Sequence, residues 1–405
     1  MSKEAYLERT KRVEDAIALR VPDRVPVIVR FGFFPARYAG VSCEALMYDP
    51  ERLREATWRT IHDFQPDMIE NPYPVRYIGR VLDALSCRQL RWPGRTLPRH
   101  VSYQFVEAEY MKAEEYEVFL ADPSDFMMRS YWPRIFGALG GLAQLPPVHD
   151  LYSYSGFSTA LASPEFAETL DAPVKASQES RRVLAYTRRF AEQADREGYP
   201  MEAGCLVHVP FDVLGDYFRG TKGIMLDMYR RPDMVIKACE RLMPFLIGKA
   251  VSAARASGNP RIFMPLHKGS DGFMSESQFL KFYWPTLREM MLAFIREGLV
   301  PCPFFEGEYA SRLHIIRDIP PGKACYNFEA TDLRKAKAVL GDRVCLRGGV
   351  PGSLLVAGTP GQVRAYCEAL LRDVAGDGGF ILDATTTLDD ARPENVRAMF
   401  ESVRE

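Results

Sequence analysis

The feature that most limits what this chain can fold into is an alternation in its C-terminal half. Short apolar runs rich in β-branched and aromatic residues are each followed by a helix that announces its own ends. The runs are RIFMPLHKG, LVPCPFFEGEY, KACYNFEATD, RVCLRGGVP and GGFILDATTT. Thr359, Pro360 and Gln362 supply an N-cap, a proline at the first helical position and a capping-box partner, and Val363, Tyr366, Cys367, Leu370, Leu371 and Val374 follow at helical spacing. Ser275 and Gln278 open a second helix, which Pro285 is expected to kink and Gly298 to close. A third is expected from Thr331 to Leu340. Strands alternating with helices build a parallel sheet, and near-continuous apolar strands build one buried on both faces. Towards the N-terminus, VPVIVRFGFF, DMIENP and MEAGCLVHVPFD bring the strand count to eight, which is what a closed (β/α) barrel needs. Neither a G-x-G-x-x-G after a strand nor a GxxxxGK[ST] loop occurs, so the open doubly wound sheet loses its usual signature. The expected fold is α/β, a single (β/α)8 TIM barrel over residues 1–405.

Residues 77–148 break the rhythm and are expected to form a long insertion between strands 2 and 3, serving as a lid or wall. Composition narrows the partners. With 52 Lys+Arg against 53 Asp+Glu and 47% hydrophobic residues, the chain has neither the bulk positive charge of a nucleic-acid binder nor the polarity of a disordered one. No stretch approaches the ~18 to 20 apolar residues of a membrane span, and MSKEAYLERTKRVEDAIAL carries charges where a signal peptide needs its apolar core. A cytoplasmic location is expected, with no membrane and no nucleic acid as partner. The eight cysteines are scattered without a CxxC, as expected of buried thiols in a reducing compartment.

Barrel active sites lie at the C-terminal ends of the strands, so the polar residues there carry the chemistry. Taking the strands in order, they are Arg30, then Glu70 and Asn71, His208, His267 and Lys268, Glu306 and Glu308, Glu329 and Asp332, Arg347, and Asp383. Glu329 and Asp332 adjoin the start of a helix, where acids complement a first turn. Arg347 reads equally as a partner for neighbouring acids and as a substrate contact. His208 lies in an apolar run, the setting of a hydrogen-bonded core histidine, whereas His267 and Lys268 lie in a glycine-bearing polar turn. Glu306 is an acid between Phe305 and Gly307, a burial that calls for a reason. His149 beside Asp150 reads as a loop contact or a substrate contact.

The segment LGDRVCLRGGVPGSLLVAGTPGQVRAYCEALLRDVAGDGGFILDATTTLDDARPENVRAM resembles the C-terminal part of the uroporphyrinogen decarboxylase superfamily, including its corrinoid-dependent methyltransferase branch. PDRVPVIVRFGFFPARY resembles the family's opening strand and arginine-bearing loop, and VPFDVLGDYFRGTKGIMLDMYRRPD its Pro-Phe motif with Tyr217 downstream. The resemblance implies a single barrel with its pocket at the strand C-termini. Two departures separate the chain from haem synthesis: ENPYPV stands where a pyrrole-holding aspartate is expected, and TTT where the last strand should lead to a histidine. A third separates it from thiol-directed methyltransferases, whose zinc-binding His-x-Cys and Cys are matched here by Phe304, Glu306 and Thr386. PLHKGSDGFMSESQFLKFYWPTL, GLVPCPFFEGEYASRL and DIPPGK look most like members of the O-demethylase type.

On that resemblance the expected activity is methyl transfer from a small O-methylated, aromatic substrate to cob(I)alamin, the cobalamin being carried by a separate corrinoid protein. The leaving oxygen must be protonated or bound to a Lewis acid. Glu306, His267 and Glu308 are the candidate catalytic groups, with His267 and Glu306 as candidate zinc ligands. Arg30, Arg37, His149, His208, Tyr217, Lys268 and Asp383 are the candidate substrate-binding residues. The alternatives are cofactor-independent decarboxylation of a pyrrole or aromatic acid, in which Arg30, Arg37 and Lys268 hold carboxylates, and a barrel that binds a tetrapyrrole without chemistry.

Overall fold

The computed structural model describes residues 2–404. Two short strands, β1 (Leu90–Arg91) and β2 (Gln104–Phe105), pair antiparallel outside the barrel. The barrel sheet contains β3 (Cys205–Leu206), β4 (Arg261–Leu266), β5 (Val300–Phe305), β6 (Cys325–Phe328), β7 (Cys345–Val350) and β8 (Phe380–Ala384), each parallel to the next in sequence order. The two N-terminal runs close the ring through single bridges. Val27 bridges Leu382, with Ile28 N donating to Leu382 O at 3.1 Å and Leu382 N to Pro26 O at 2.9 Å. Asp67 N then donates to Val27 O at 2.9 Å, and Ile69 bridges Met201. These eight positions make the chain a (β/α)8 barrel.

VPVIVRFGFF and DMIENP therefore occupy the first and second barrel positions without forming the expected strands. Pro26, Pro66 and Pro72 have no N–H to give a ladder, and the Val27 N–H is taken at 2.7 Å by the Asp67 side chain. The helix signals mark real ends. Ser275 with Gln278 and Thr359 with Gln362 form complete capping boxes, and Asp332 caps Leu333–Leu340, two residues later than the expected start. Ahead of Pro285, which has no N–H for the ladder, the winding widens into a π-helical turn over Phe279–Tyr283 before Trp284–Arg296 continues. All eight cysteines are free thiols.

Alternation along parallel strands sorts the barrel interior into layers. The floor is apolar: Ile28, Met68, Cys325, Cys345 and Ile381 meet Val13, Ala16 and Ile17 from the N-terminal helix Ser2–Ile17. Above it lie charges. Arg347 Nη1 donates to Glu202 Oε1 at 2.6 Å and its Nε to Asp383 Oδ2 at 2.8 Å, while Arg30 Nη2 reaches the same Glu202 oxygen at 2.7 Å. Asn327 Nδ2 adds a bond to Asp383 at 3.2 Å. Arg347 and Asp383 thus lie inside β7 and β8 and not beyond their ends, because both strands stay paired through Val350 and Ala384. Burial raises the carboxyl of Glu202, but Arg30 and Arg347 outweigh it and hold the group at about 2. Asp383 shares one guanidinium, and burial wins there, pushing it up to about 6.

Breaking a buried ion pair from one side costs far more than the pair contributes. Arg347→Met is expected to destabilise the fold by about 3–5 kcal/mol, because Asp383 loses its charged partner and Glu202 one of two. The midpoint of urea unfolding, compared with wild type, measures it.

Candidate active site

One inward position above the charged layer, three elements converge. The Leu266–Phe305 register sets the turn after β4 opposite the turn after β5, and Glu306 N donates to Leu266 O at 3.2 Å. His267 and Glu306 therefore face each other, with His267 Nε2 3.5 Å from Glu306 Oε1. The third element follows β3. After Pro210–Asp212 the chain winds as a π-helix over Val213–Arg219, bringing Asp212 and Asp216 to the same turn.

Asp212 is fully buried and fixes the backbone of the β4 turn. Its carboxylate accepts from His267 N at 2.9 Å, Lys268 N at 3.1 Å and the Tyr283 hydroxyl at 2.8 Å. Asp216 fixes the side chains: it meets His267 Nδ1 at 2.5 Å and Lys268 Nζ at 3.0 Å. Gly215 has no Cβ because one would stand 2.5 Å from Lys268 Cδ. Lys268 Nζ also reaches Thr221 Oγ1 at 2.9 Å and, from the 77–148 segment, Glu107 Oε2 at 3.3 Å.

The electrostatics follow from this geometry. Burial disfavours the charged form of His267, but Asp216, Asp212 and Glu306 outweigh it and raise the imidazole to about 9. Burial would also raise Asp216, and His267 with Lys268 hold it low instead. Asp212 has no cationic side chain bonded to it, and burial with the charge of Asp216 raises it. Glu306 is pushed up to about 7 by burial, partly opposed by His267 and assisted by Glu329, yet its side chain remains 37% exposed. His208, whose Nε2 lies 3.1 Å from the Tyr217 hydroxyl, is driven down to about 4 by burial and by the neighbouring His267. At neutral pH the site thus holds an imidazolium, a neutral imidazole and a carboxyl near its midpoint within one layer.

The remaining candidates are dispersed. Tyr217 joins the cluster through His208 and packs edge-on against Phe105 of β2 at 5.3 Å. Arg30 and Asp383 belong to the charged layer below. Glu308 is exposed and serves its own turn, accepting from Ala310 N at 3.0 Å and, through its carbonyl, from Asp271 N at 2.7 Å. Arg37 is exposed on the short helix Phe34–Ala39 and donates to Asp390 O at 2.9 Å. His149 is 71% exposed on the turn Val148–Asp150, with Asp150 3.6 Å away. His267 and Glu306 offer two donors where a catalytic zinc takes three protein ligands, and no group of three or more His, Cys, Asp or Glu among the described residues is arranged to hold a metal ion. Asp212, Asp216, Glu202 and Glu107 were not singled out in the sequence. A signal existed for the first two, since VPFDVLGDYF places two acids four apart in an otherwise apolar run.

A cavity of about 1030 Å³ lies beside and below this cluster and is lined by Arg30, Phe33, Glu70, Tyr103, Leu206 and Phe263 among others. The Arg30 guanidinium carbon lies over the Phe263 ring, 3.6 Å from its centroid. Against known proteins, the family model described as uroporphyrinogen decarboxylase (URO-D) matches residues 158–405. The chain belongs to that family. A curated relative, the uroporphyrinogen decarboxylase of Chlorobium luteolum (strain DSM 273 / BCRC 81028 / 2530), is 27% identical over 183 residues, 44% of this chain and 51% of that protein. The chain thus spans about half the length of this curated relative. A solved methyltransferase from Methanosarcina mazei superposes with a TM-score of 0.61 at 14% identity, covering 97% of each chain, which establishes a shared fold. For this URO-D family member, no helix among the described residues is long and apolar enough to cross a membrane.

Asp216 governs the His267 charge, and a base raised from 6.5 to about 9 stabilises the fold fully below 6.5 and loses that contribution as pH rises through 9. Asp216→Asn should bring the His267 midpoint down, as followed by histidine ring NMR. The same variant should flatten the fall in unfolding free energy between pH 6.5 and 9.

Proposed function

We propose that the chain transfers a methyl group from a small, uncharged O-methylated aromatic substrate to cob(I)alamin presented by a separate corrinoid protein. The observation that carries this reading is a reachable carboxyl at the barrel mouth, Glu306, poised near neutrality against an imidazolium 3.5 Å away. Cob(I)alamin, the co-substrate, supplies the electron pair that takes the methyl carbon. As the methyl–oxygen bond breaks, Glu306 gives its proton to the departing oxygen, which would otherwise leave as an unassisted alkoxide or phenoxide. The carboxylate left behind faces the cationic His267, whose charge Asp216 maintains. The donor set does not fit zinc, and the proton of Glu306 takes the role a Lewis acid would have had.

Charge pairing supports a neutral substrate. Arg30 is bound to Glu202, Arg76 to Glu70 at 2.7 Å, and Lys268 to Asp216 and Glu107. Each of these cations already has its carboxylate. The methyltransferase fold of the M. mazei structure is compatible with this reading, as is the departure of the chain from the family's decarboxylase pattern at ENPYPV and TTT. Residues 77–148 then act as a wall of the site, with Glu107 fastening them to Lys268.

Family membership favours a second reading, cofactor-independent decarboxylation of an aromatic acid, in which Glu306 would protonate a carbanion instead. Release of carbon dioxide without corrinoid decides for it. On the methyltransferase reading, Glu306→Gln should lower kcat by roughly 10²-fold with a smaller change in KM, assayed with 2-methoxyphenol and cob(I)alamin. Wild-type kcat should fall as pH rises through about 7, where Glu306 loses its proton, and the variant should lack that limb.

A further inference from the structure

The barrel is not equally closed all round. Between its second position and β3, two backbone hydrogen bonds, Ile69 N to Pro200 O at 3.1 Å and Glu202 N to Ile69 O at 2.8 Å, are those that join the walls among the described residues. Above them the walls part, and each is held by something other than its neighbour. On the β3 side, the Met201 carbonyl is taken by Asn259 Nδ2 at 2.8 Å and by Arg261 Nη2 at 2.9 Å, and the Glu202 carbonyl by Arg261 Nε at 2.8 Å. Arg261 is itself buried, so this brace is part of the fold. Gly204 lets the strand lie against that brace, since a Cβ there would stand 2.2 Å from the Asn259 carbonyl oxygen. On the other side, Asn71 Nδ2 is tied to Thr187 O at 2.9 Å, on the long helix Pro164–Glu197.

The large cavity follows this seam. Its lining runs from Phe33 and Asp389 at the mouth, past Leu206 and Ala191, to Ser257 and Glu14 at the opposite face of the barrel. Ser257 and Glu14 at the far end are exposed, whereas at the mouth Phe33 is buried and Asp389 half-buried. Leu206 is a barrel-strand side chain in the inward register, yet it is 44% exposed, which an interior filled by side chains would not allow. It sits one inward position below His208 on the same strand, so the passage ends beneath the His208–His267–Glu306 layer.

The geometry points to the seam as the entrance for the small uncharged aromatic substrate, separate from the barrel mouth. This rests on the reading above in one respect: a corrinoid protein delivering its cofactor to the mouth covers the route that a substrate would otherwise use. Apolar Leu206, Phe263 and Ile69, with ions that are already paired, suit a neutral aromatic ring and disfavour an acid.

A block in the passage is distinguishable from a lost contact. Ala191→Phe, on the helix face lining the passage, should slow association of 2-methoxyphenol by at least about tenfold in stopped-flow fluorescence with the barrel mouth occupied by saturating hydroxocobalamin. Dissociation should slow in parallel, leaving Kd within about twofold, as befits a gate. Thr187→Phe, one turn earlier on the same helix, repeats the test should Ala191→Phe fail to fold by circular dichroism. Unchanged association rates in a folded variant overturn the entrance, as does failure of the wild type to bind 2-methoxyphenol at all. Binding with slowed rates but no methyl transfer to cob(I)alamin upholds the entrance and refutes the methyltransferase reading.

Discussion

The rest of the structure depends on a guanidinium inside a barrel. Arg347 stands where barrels ordinarily place a branched apolar side chain, and it draws carboxylates from β8 and from the approach to β3 onto one centre. The first barrel position and the approach to β3, which have few backbone bonds, are thereby joined through side chains to the well-paired β7 and β8. A polar layer of this kind contributes little to stability compared with a packed apolar one, and its geometry is what it secures. It fixes the height of the interior at which the apolar floor stops and chemistry can begin.

Above that layer, proximity sets each group's charge. Asp216 is held low and keeps His267 protonated; burial, aided by the charge of His267, drives His208 neutral, and His267 limits the rise of Glu306. The four groups form a gradient from a fixed anion to a titrating acid within a few ångströms. Asp212 adds its charge to that of Asp216 in keeping His267 protonated, and it also fixes the backbone. It holds the two N–H groups of the β4 turn, so His267 and Lys268 leave the strand in a defined direction.

The repeating run-and-helix pattern made the barrel legible, since buried parallel strands and box-capped helices both write themselves in local residue order. The weakness of the first two barrel positions was half visible in Pro26, Pro66 and Pro72. That Asp67 takes the Val27 N–H was not, because it depends on a side chain 40 residues away. Glu306 stood out as an acid between Phe305 and Gly307, and the pairing of β4 with β5 sets it against His267. The Glu202–Arg30–Arg347–Asp383 layer joins residues from four barrel positions at one height, and register across a barrel is not written in any single strand. Arg37, His149 and Glu308 show the converse: a polar residue near a strand end is free to point outward.

The π-helical turn over Val213–Arg219 has a consequence for how this segment tolerates change in length. Each residue of an ordinary helix turns the chain by about 100°. Removing one residue between Asp212 and Asp216 would relax the turn to α-helical winding and swing the second carboxylate away from the imidazole, with every atom of both acids still present. The aim of Asp216 is therefore a matter of counting residues, and a one-residue deletion that keeps both acids would erase it where a conservative substitution of the residues between them would not.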